Sequence, residues 1–172
     1  MSVLSGGLYF YWWLYITWKH YRDHTGEEAY PVWHALTLLV PIYGLFRVHA
    51  HTRTFRELMM VRQLTSTISP VTAVVVALIA GVFGSVGMAD VWSGEISESL
   101  AIFMLVGGVI STALIAWLLV SVQANINMYW RVVSPNASSC RLGVGEVLLT
   151  ILGIAFWGDT IATTFIESWR TL

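Results

Sequence analysis

The sequence predicts an all-α integral membrane protein that forms one membrane domain over residues 1–172. Of its residues, 56% are hydrophobic and only 11% are charged, whereas a soluble domain usually has about 25% charged residues. So few charges cannot keep a folded surface in water, and lipid must therefore cover part of it. Three helices are predicted to span the membrane and two further apolar segments are short and interrupted, which gives three to five spans.

Residues 1–66 begin with a helix that runs from about Val3 to Trp18 and is followed by Lys19 and Arg22. This helix is unusually aromatic, and Trp and Tyr side chains prefer the headgroup level of a bilayer. A span takes about 20 apolar residues, so the helix is barely long enough to cross. No basic region precedes its apolar part, which predicts a retained helix rather than a cleaved signal peptide.

The second apolar run, from Ala29 to Phe46, contains Pro41, which removes a backbone donor. A hairpin that dips into one leaflet and a complete span are both open interpretations, because a span would need another group to satisfy the freed carbonyl. The residues that follow have an apolar and a basic face, which is typical of a helix in the membrane interface. Four arginines are candidates for binding anionic lipid headgroups, although membrane topology alone also explains them: Arg47, Arg53, Arg56 and Arg62.

Residues 67–130 contain the two charge-free spans, Val71–Ala89 and Leu100–Val122, joined by an acidic loop. They are predicted to pack as an antiparallel hairpin. Small residues recur at every fourth position of both spans, and such residues let another helix approach closely, although membrane-helix composition alone also produces such ladders. The predicted packing residues are Ala73, Ala77, Gly81, Ser85 and Ala89 in the first span and Gly108, Thr112 and Ala116 in the second.

Residues 131–172 are predicted to form a polar loop, a short membrane segment and an interfacial tail. The segment from Leu142 to Ile166 contains two acids, and its charge-free core, Val147–Gly158, is too short to span alone. An ionisable group at membrane depth is costly and is by default a candidate for function. One interpretation is an ion pathway that consists of Glu146, Asp159, Gln123 and Asn127.

The favoured alternative for Asp159 is a cap on the final interfacial helix. For Gln123 and Asn127 the favoured alternative is hydrogen bonding between helices or contact with headgroups.

Two membrane layouts compete. In the first, three helices span, the Pro41 and Val147–Gly158 segments dip in and return, and all nine Lys and Arg residues share one side. In the second, all five segments span and the basic residues are divided between the two sides. The positive-inside rule favours the first layout, with the basic loops cytoplasmic and the acidic 90–98 loop outside. A weak parallel repeat, in which Tyr43-Gly44 corresponds to Trp157-Gly158, fits the same layout, and coincidence is its alternative.

Two stretches of the chain carry a resemblance. The first combines a Y-W-x-Y-x-x-W-K start with a polar link, a P-x-W motif and an apolar run, through Tyr11, Trp12, Tyr15, Trp18, Lys19, Pro31, Trp33, Tyr43, Leu45 and Phe46. The second is a V-Q-x-x-I-N pattern at Val122, Gln123, Ile126 and Asn127. In these features the chain resembles a family of small bacterial inner-membrane proteins whose activity is not established. It departs from that pattern at His34 and His49. The resemblance implies a bacterial inner-membrane location and supplies no catalytic residue.

The sequence favours a non-enzymatic accessory subunit, because it contains no nucleophile elbow, P-loop, HExxH or dinucleotide motif. The expected partners are membrane lipids and another membrane protein or a second copy. A small transporter that uses Asp159, Glu146 and Gln123 is the alternative. A haem- or pigment-binding subunit with His34 and His49 as ligands is a lesser alternative, so no cofactor and no metal site is predicted. No nucleic-acid partner is expected, because the sequence has no basic tract with interleaved aromatic residues, and the net charge of −1 argues neither for nor against one.

Overall fold

The computed structural model describes residues 9–86, 98–135 and 144–166. The described part of the chain is helical apart from short links and contains no strand, so the all-α prediction is confirmed. A 3-10 turn at Thr37–Leu39 joins the second helix to the third. The α-helices are α1 (Tyr9–Thr25), α2 (Pro31–Leu36), α3 (Pro41–Val61), α4 (Pro70–Val86), α5 (Glu98–Val133) and α6 (Val144–Phe165).

Helices α2 and α3 form a hairpin that bends at Pro41. This residue occupies the first turn of α3, where a missing backbone N–H leaves no intrahelical bond unmade. Gly44 lies so close to the bend that a Cβ there would be 3.0 Å from the carbonyl oxygen of Leu38. The chain therefore bends at the predicted break. Helix α3, however, continues to Val61 without a break, so the predicted interfacial helix is the second half of α3 rather than a separate element.

The C-terminal ends of α1, α3 and α5 lie at one end of the molecule. The ring of Tyr21 lies 6.0 Å from that of Phe55, and a 2.9 Å hydrogen bond joins His24 Nε2 to Tyr129 Oη. The link between α3 and α4 reaches the same end, where the backbone N–H of Thr67 donates to Asn125 Oδ1 at 2.9 Å. The basic residues carried by these three ends are Lys19, Arg22, Arg53, Arg56, Arg62 and Arg131. Arg141 and Arg170 lie outside the described residues.

Two of the described helices are long and apolar enough to cross a membrane, namely α5 and the Val144–Ala162 part of α6. Helix α5 contains the predicted Leu100–Val122 span, and its 36 residues extend about 54 Å at 1.5 Å per residue. This length exceeds the hydrocarbon thickness of about 30 Å, so a perpendicular α5 would protrude. Helix α4 is a shorter apolar helix in the described range, and the last residues of its predicted span lie outside that range.

Helix α6 differs from the prediction. It runs without interruption through Gly158 and Asp159 to Phe165, so the segment is one helix of 22 residues rather than a short core and a separate tail. Asp159 is exposed inside the helix, and its predicted role as an N-terminal cap is wrong. Gly and Asp disfavour a helix by about 1 kcal/mol or less each, which the surrounding good helix formers outweigh.

The core lies where α1, α3, α4 and the second half of α5 meet. Its most deeply buried large side chains include Leu14, Phe55, Met59 and Tyr129, each 1% exposed. By contrast, the first half of α5 exposes large apolar side chains such as Phe103 and Val106, and almost all of α6 is exposed in the same way. Apolar side chains thus cover much of the outer surface of α4, α5 and α6.

Candidate functional site

A group of polar side chains is enclosed where α1, α2 and α3 meet. The imidazole of His34 stacks on the indole of Trp18, with ring centroids 4.3 Å apart. Arg47 Nη1 donates to His34 Nδ1 at 3.1 Å, and the ring of His51 lies 5.5 Å from that of Trp18. Together with Thr17, which approaches His51, these residues are called the Arg47 cluster.

Local sequence explains how the Arg47 cluster assembles. Arg47 and His51 are four residues apart on α3 and therefore share one helical face. Thr17 and Trp18 are consecutive on the buried side of α1. The bend at Pro41 turns the chain back, so that His34 on α2 lies between α1 and the first half of α3.

Hydrogen-bond chemistry assigns the protons of both imidazoles. An arginine only donates, so His34 Nδ1 accepts from Arg47, and the neutral ring has its proton on Nε2. The hydroxyl of Thr17 donates to a backbone carbonyl, with Trp13 O at 2.8 Å. Its oxygen therefore accepts from His51 Nε2, which lies 3.4 Å away. This tautomer leaves His51 Nδ1 with a free lone pair.

Burial keeps these imidazoles neutral. His51 is 1% exposed, and burial, with a smaller contribution from nearby His34, lowers the pKa of His51 to about 3. Burial first and the charge of Arg47 second also lower the pKa of His34. Both rings are therefore uncharged near pH 7, and Arg47 supplies the positive charge of the cluster.

The Arg47 cluster has unused hydrogen-bonding capacity. Among the described residues, the buried side-chain atoms without a hydrogen-bond partner are Trp18 Nε1, Arg47 Nε and His51 Nδ1, all of which belong to this cluster. An unsatisfied buried polar group costs about 1–3 kcal/mol. Arg47 contacts Tyr43 through its hydroxyl and its ring face, and it is not among the residues that form ion pairs in the described structure.

The other candidate headgroup arginines have a different environment. Arg53, Arg56 and Arg62 are exposed, and Arg53 Nε is paired with Glu57 Oε1 at 2.7 Å. Only Arg47 of the four candidates is partly enclosed. Sequence reasoning placed all four in one class, because amphipathic spacing does not show that the hairpin covers one of them.

The candidate haem ligands are not arranged as a pair. His34 is close enough to His51 to influence its protonation, and its Nδ1 is already bonded to Arg47. His49 lies two residues from His51, on another face of α3. No group of three or more His, Cys, Asp or Glu side chains that could hold a metal ion occurs in the described ranges.

The candidate ion-pathway residues lie in separate contacts. Trp13 Nε1 donates to Gln123 Oε1 at 2.5 Å, and Gln123 Nε2 donates to Asn127 Oδ1 at 2.7 Å. Glu146 Oε1 instead accepts from Trp12 Nε1 at 3.3 Å. Asp159 lies thirteen residues further along α6, which is about 20 Å at 1.5 Å per residue. Adjacent tryptophans thus connect α1 to α5 and α6, and Asp159 is distant from Glu146.

The small-residue ladders coincide only partly with the α4–α5 contact. Ala73 and Thr112 are buried and Ala77 and Ala116 are partly buried, whereas Ser85 is exposed. A Cβ added at Gly81 or Gly108 would have no atom within 4 Å. Ala89 lies outside the described residues.

Other small residues form the close α4–α5 approach. Ser111 Oγ donates to the carbonyl oxygen of Ala80 at 2.9 Å, and a Cβ at Gly107 would lie 3.3 Å from the carbonyl oxygen of Phe83. A ladder of every fourth residue rotates about 40° per step, because the helix has 3.6 residues per turn. The predicted α4 ladder therefore turns away from the contact after Ala77. Small residues that recur at a mixed spacing of three and four positions would have identified Ala80, Gly107 and Ser111 from the sequence.

An apolar groove of about 450 Å³ lies between α1, α2 and α6. Gly145 closes one wall tightly, since a Cβ there would lie 2.7 Å from the ring of Trp12. The groove is lined by Tyr11, Trp12, Tyr15, Val32, Ala35, Leu36, Gly145, Leu148 and Leu149.

Comparisons with known proteins leave the family open. No family model matches the chain, and neither a curated protein nor a solved structure matches it. The resemblance to small bacterial inner-membrane proteins therefore stays a prediction.

Proposed function

We propose that the chain is a non-enzymatic integral membrane protein that acts as an accessory subunit and packs against another membrane protein. The observation that carries this proposal is the pair of open glycines, Gly81 on α4 and Gly108 on α5, around which nothing lies within 4 Å of a Cβ position. In lipid, helices associate by close backbone packing at small residues. The α4–α5 contact uses other small residues, so these two are available to a helix of the partner.

The bacterial inner-membrane location is proposed from the resemblance, and the grouping of basic residues supports the orientation in that membrane. Lys19 and Arg22 lie at the same end as Arg131, as the contacts of α1 with α5 require. The positive-inside rule assigns this end to the cytoplasm. There Arg53, Arg56 and Arg62 are exposed and would contact anionic headgroups.

The proposed layout has α1, α4, α5 and α6 crossing the membrane while the α2–α3 hairpin dips in and returns. The continuous α6 is the reason for adding a fourth crossing to the first layout, and this crossing moves Arg170 to the outer side. The layout is tested after Cys140→Ser by labelling single cysteines introduced at Arg56, Glu95 and Thr171. Arg56 should react from the cytoplasm and the other two from outside. Labelling of positions 56 and 95 in one compartment would contradict the layout.

The accessory role is tested by substitutions on the open face. Gly81→Leu and Ser85→Leu should each disrupt the complex that is retained when the protein is purified in mild detergent. Val82→Leu is the matched control, because Val82 is exposed on α4 and already has a bulky side chain. Purification of the wild-type protein as a partner-free monomer that these substitutions do not affect would overturn the proposal.

A further inference from the structure

We propose that the apolar groove between α1, α2 and α6 binds one acyl chain of an anionic phospholipid, whose headgroup contacts Lys19 and Arg22. The inference rests on the membrane location in the proposed function, because the groove must lie in the hydrocarbon layer. It does not depend on the accessory role, since the open glycines Gly81 and Gly108 are on other helices.

The groove has the size and the chemistry of a site for one hydrocarbon chain. Its lining presents only apolar atoms to the enclosed space. Its volume of about 450 Å³ is within the range of about 300–1,000 Å³ that is usual for small-molecule sites. An occupant without polar groups would therefore bury its surface here without leaving a hydrogen bond unmade.

A helix of another protein fits the groove less well than an acyl chain. One turn of an α-helix is about 10 Å wide and 5.4 Å long, so it fills about 420 Å³. The groove would therefore hold a single turn, and the rest of such a helix would lie outside it. A flexible chain can instead follow the lining and bury its apolar surface there.

The groove lies at the depth of one leaflet. The proposed layout places the C-terminal end of α1 at the cytoplasmic surface. Tyr15 and Tyr11 line the groove and precede Lys19 by four and eight residues, which is about 6 and 12 Å along the helix. One leaflet contributes about 15 Å of hydrocarbon, half of the total thickness. A chain in the groove would therefore belong to a lipid of the cytoplasmic leaflet.

Two basic residues continue the same face of α1 beyond the groove. Lys19 and Arg22 follow Tyr15 by four and seven residues, so the three share one face. Both cations contact one carboxylate, with Lys19 Nζ 2.8 Å from Asp23 Oδ2 and Arg22 Nη2 2.9 Å from Asp23 Oδ1. Two cations and one anion leave a net charge of +1. The side chains of Lys19 and Arg22 are 41% and 43% exposed, so an anionic headgroup can reach them and balance that charge.

The acids of the following link are placed differently. Glu27 accepts from Tyr21 Oη at 2.5 Å, and Tyr21 lies about 120° around α1 from Tyr15. Glu28 is exposed in the same link, beyond the end of α1. The ion pairs that Lys19 and Arg22 form among the described residues are with Asp23.

Lipid binding is measured by native mass spectrometry on the full chain, purified in a maltoside detergent. The protein is titrated with phosphatidylglycerol or with phosphatidylcholine of identical acyl chains. We expect the wild type to bind one phosphatidylglycerol molecule and to prefer it to phosphatidylcholine by about fivefold, which is the contribution of one net positive charge near an anionic headgroup.

Filling the groove tests the contact with the acyl chain. Ala35→Phe should weaken the binding of both lipids by at least about tenfold, because the added ring occupies the groove and the chain loses its buried surface. Ala113→Phe is the matched control, since Ala113 is exposed on α5 and is not part of the groove lining. This control should bind like the wild type.

Removing charge tests the contact with the headgroup. Lys19→Gln combined with Arg22→Gln should abolish the preference for phosphatidylglycerol, while phosphatidylcholine binds as it does to the wild type. Arg53→Gln combined with Arg56→Gln removes the same number of basic residues from exposed positions on α3. This second pair should keep the preference.

Each outcome decides the proposal. Loss of the bound phosphatidylglycerol in Ala35→Phe, with retention in Ala113→Phe, supports it. Absence of binding, equal affinity of the wild type for the two lipids, or equal affinity of the wild type and Ala35→Phe would overturn it. If circular dichroism shows that Ala35→Phe is unfolded, Ala35→Leu takes its place and should weaken binding in the same direction. The proposed function fails separately, through the partner complex or the cysteine labelling, because lipid binding is measured without a partner.

Discussion

The imidazole of His34 stacks on the indole of Trp18, with ring centroids 4.3 Å apart and planes 14° from parallel. This contact fixes the α2–α3 hairpin to α1, because His34 is on α2 and also accepts from Arg47 on α3. The three elements are thus connected through one side chain. Removing it should loosen the hairpin more than it changes any single helix.

We expect His34→Ala to lower the free energy of unfolding by about 2 kcal/mol, which combines a lost ring contact with a lost hydrogen bond to a charged group. The measurement is the midpoint of SDS or thermal unfolding in detergent. His49→Ala is the control, because this partly buried histidine has no ring contact in the described structure. Equal effects of the two substitutions would show that the stack does not hold the hairpin.

The break between α2 and α3 could be predicted from the sequence because its determinant is local. Pro41 interrupts an apolar run, and a break of this kind leaves few structural options. The continuity of α6 could not be predicted, because Gly158 and Asp159 disfavour a helix only slightly and the balance depends on their neighbours. The Arg47 cluster was missed because its residues come from three helices. The only local signal for it was the four-residue spacing of Arg47 and His51.

The bend at Gly44 should not tolerate a side chain. A Cβ there would lie 3.0 Å from the backbone oxygen and 3.2 Å from the Cα of Leu38, and backbone atoms cannot move aside as a flexible side chain can. We expect Gly44→Ala to cost about 1–3 kcal/mol, as overpacking usually does. Gly81→Ala is the matched control, because its Cβ would meet no atom within 4 Å, and helix propensity alone should make it neutral or stabilising. Unfolding midpoints that rise for both variants would disprove the close approach.

The contact between α1 and α6 depends on Gly145. Its missing Cβ leaves room for the ring of Trp12, which would otherwise be 2.7 Å away and which donates to Glu146 at 3.3 Å. Gly145→Ala should displace the indole and weaken this bond, at a cost of about 1 kcal/mol. Gly158→Ala on the same helix has open space around its Cβ and should not destabilise. The readout is disulfide formation between cysteines placed at Tyr15 and Leu149, two residues that line the groove, in a Cys140→Ser background. A crosslinking yield that Gly145→Ala leaves unchanged would contradict this role.

Acid should destabilise the protein through His51. Burial holds the pKa of His51 at about 3 in the folded chain, whereas an unfolded histidine has a pKa of about 6.5. Below pH 6.5 the unfolded state therefore binds a proton that the folded state does not, so stability is complete above this pH and falls as the pH decreases towards 3. One such group contributes at most about 1.4 kcal/mol per pH unit.

The measurement is the free energy of unfolding between pH 6.5 and pH 5, above the range in which most carboxylates titrate. The titratable or charged groups near His51 are His34 on α2, whose pKa is lowered by burial, and Arg47 on its own helix. We therefore expect His51→Phe to reduce the slope of the unfolding free energy against pH by the equivalent of up to one proton. The part of the slope that is due to His34 should remain. His49→Phe is the control from the same helix. If the slope of His51→Phe equals that of the wild type, His51 is not held neutral by burial.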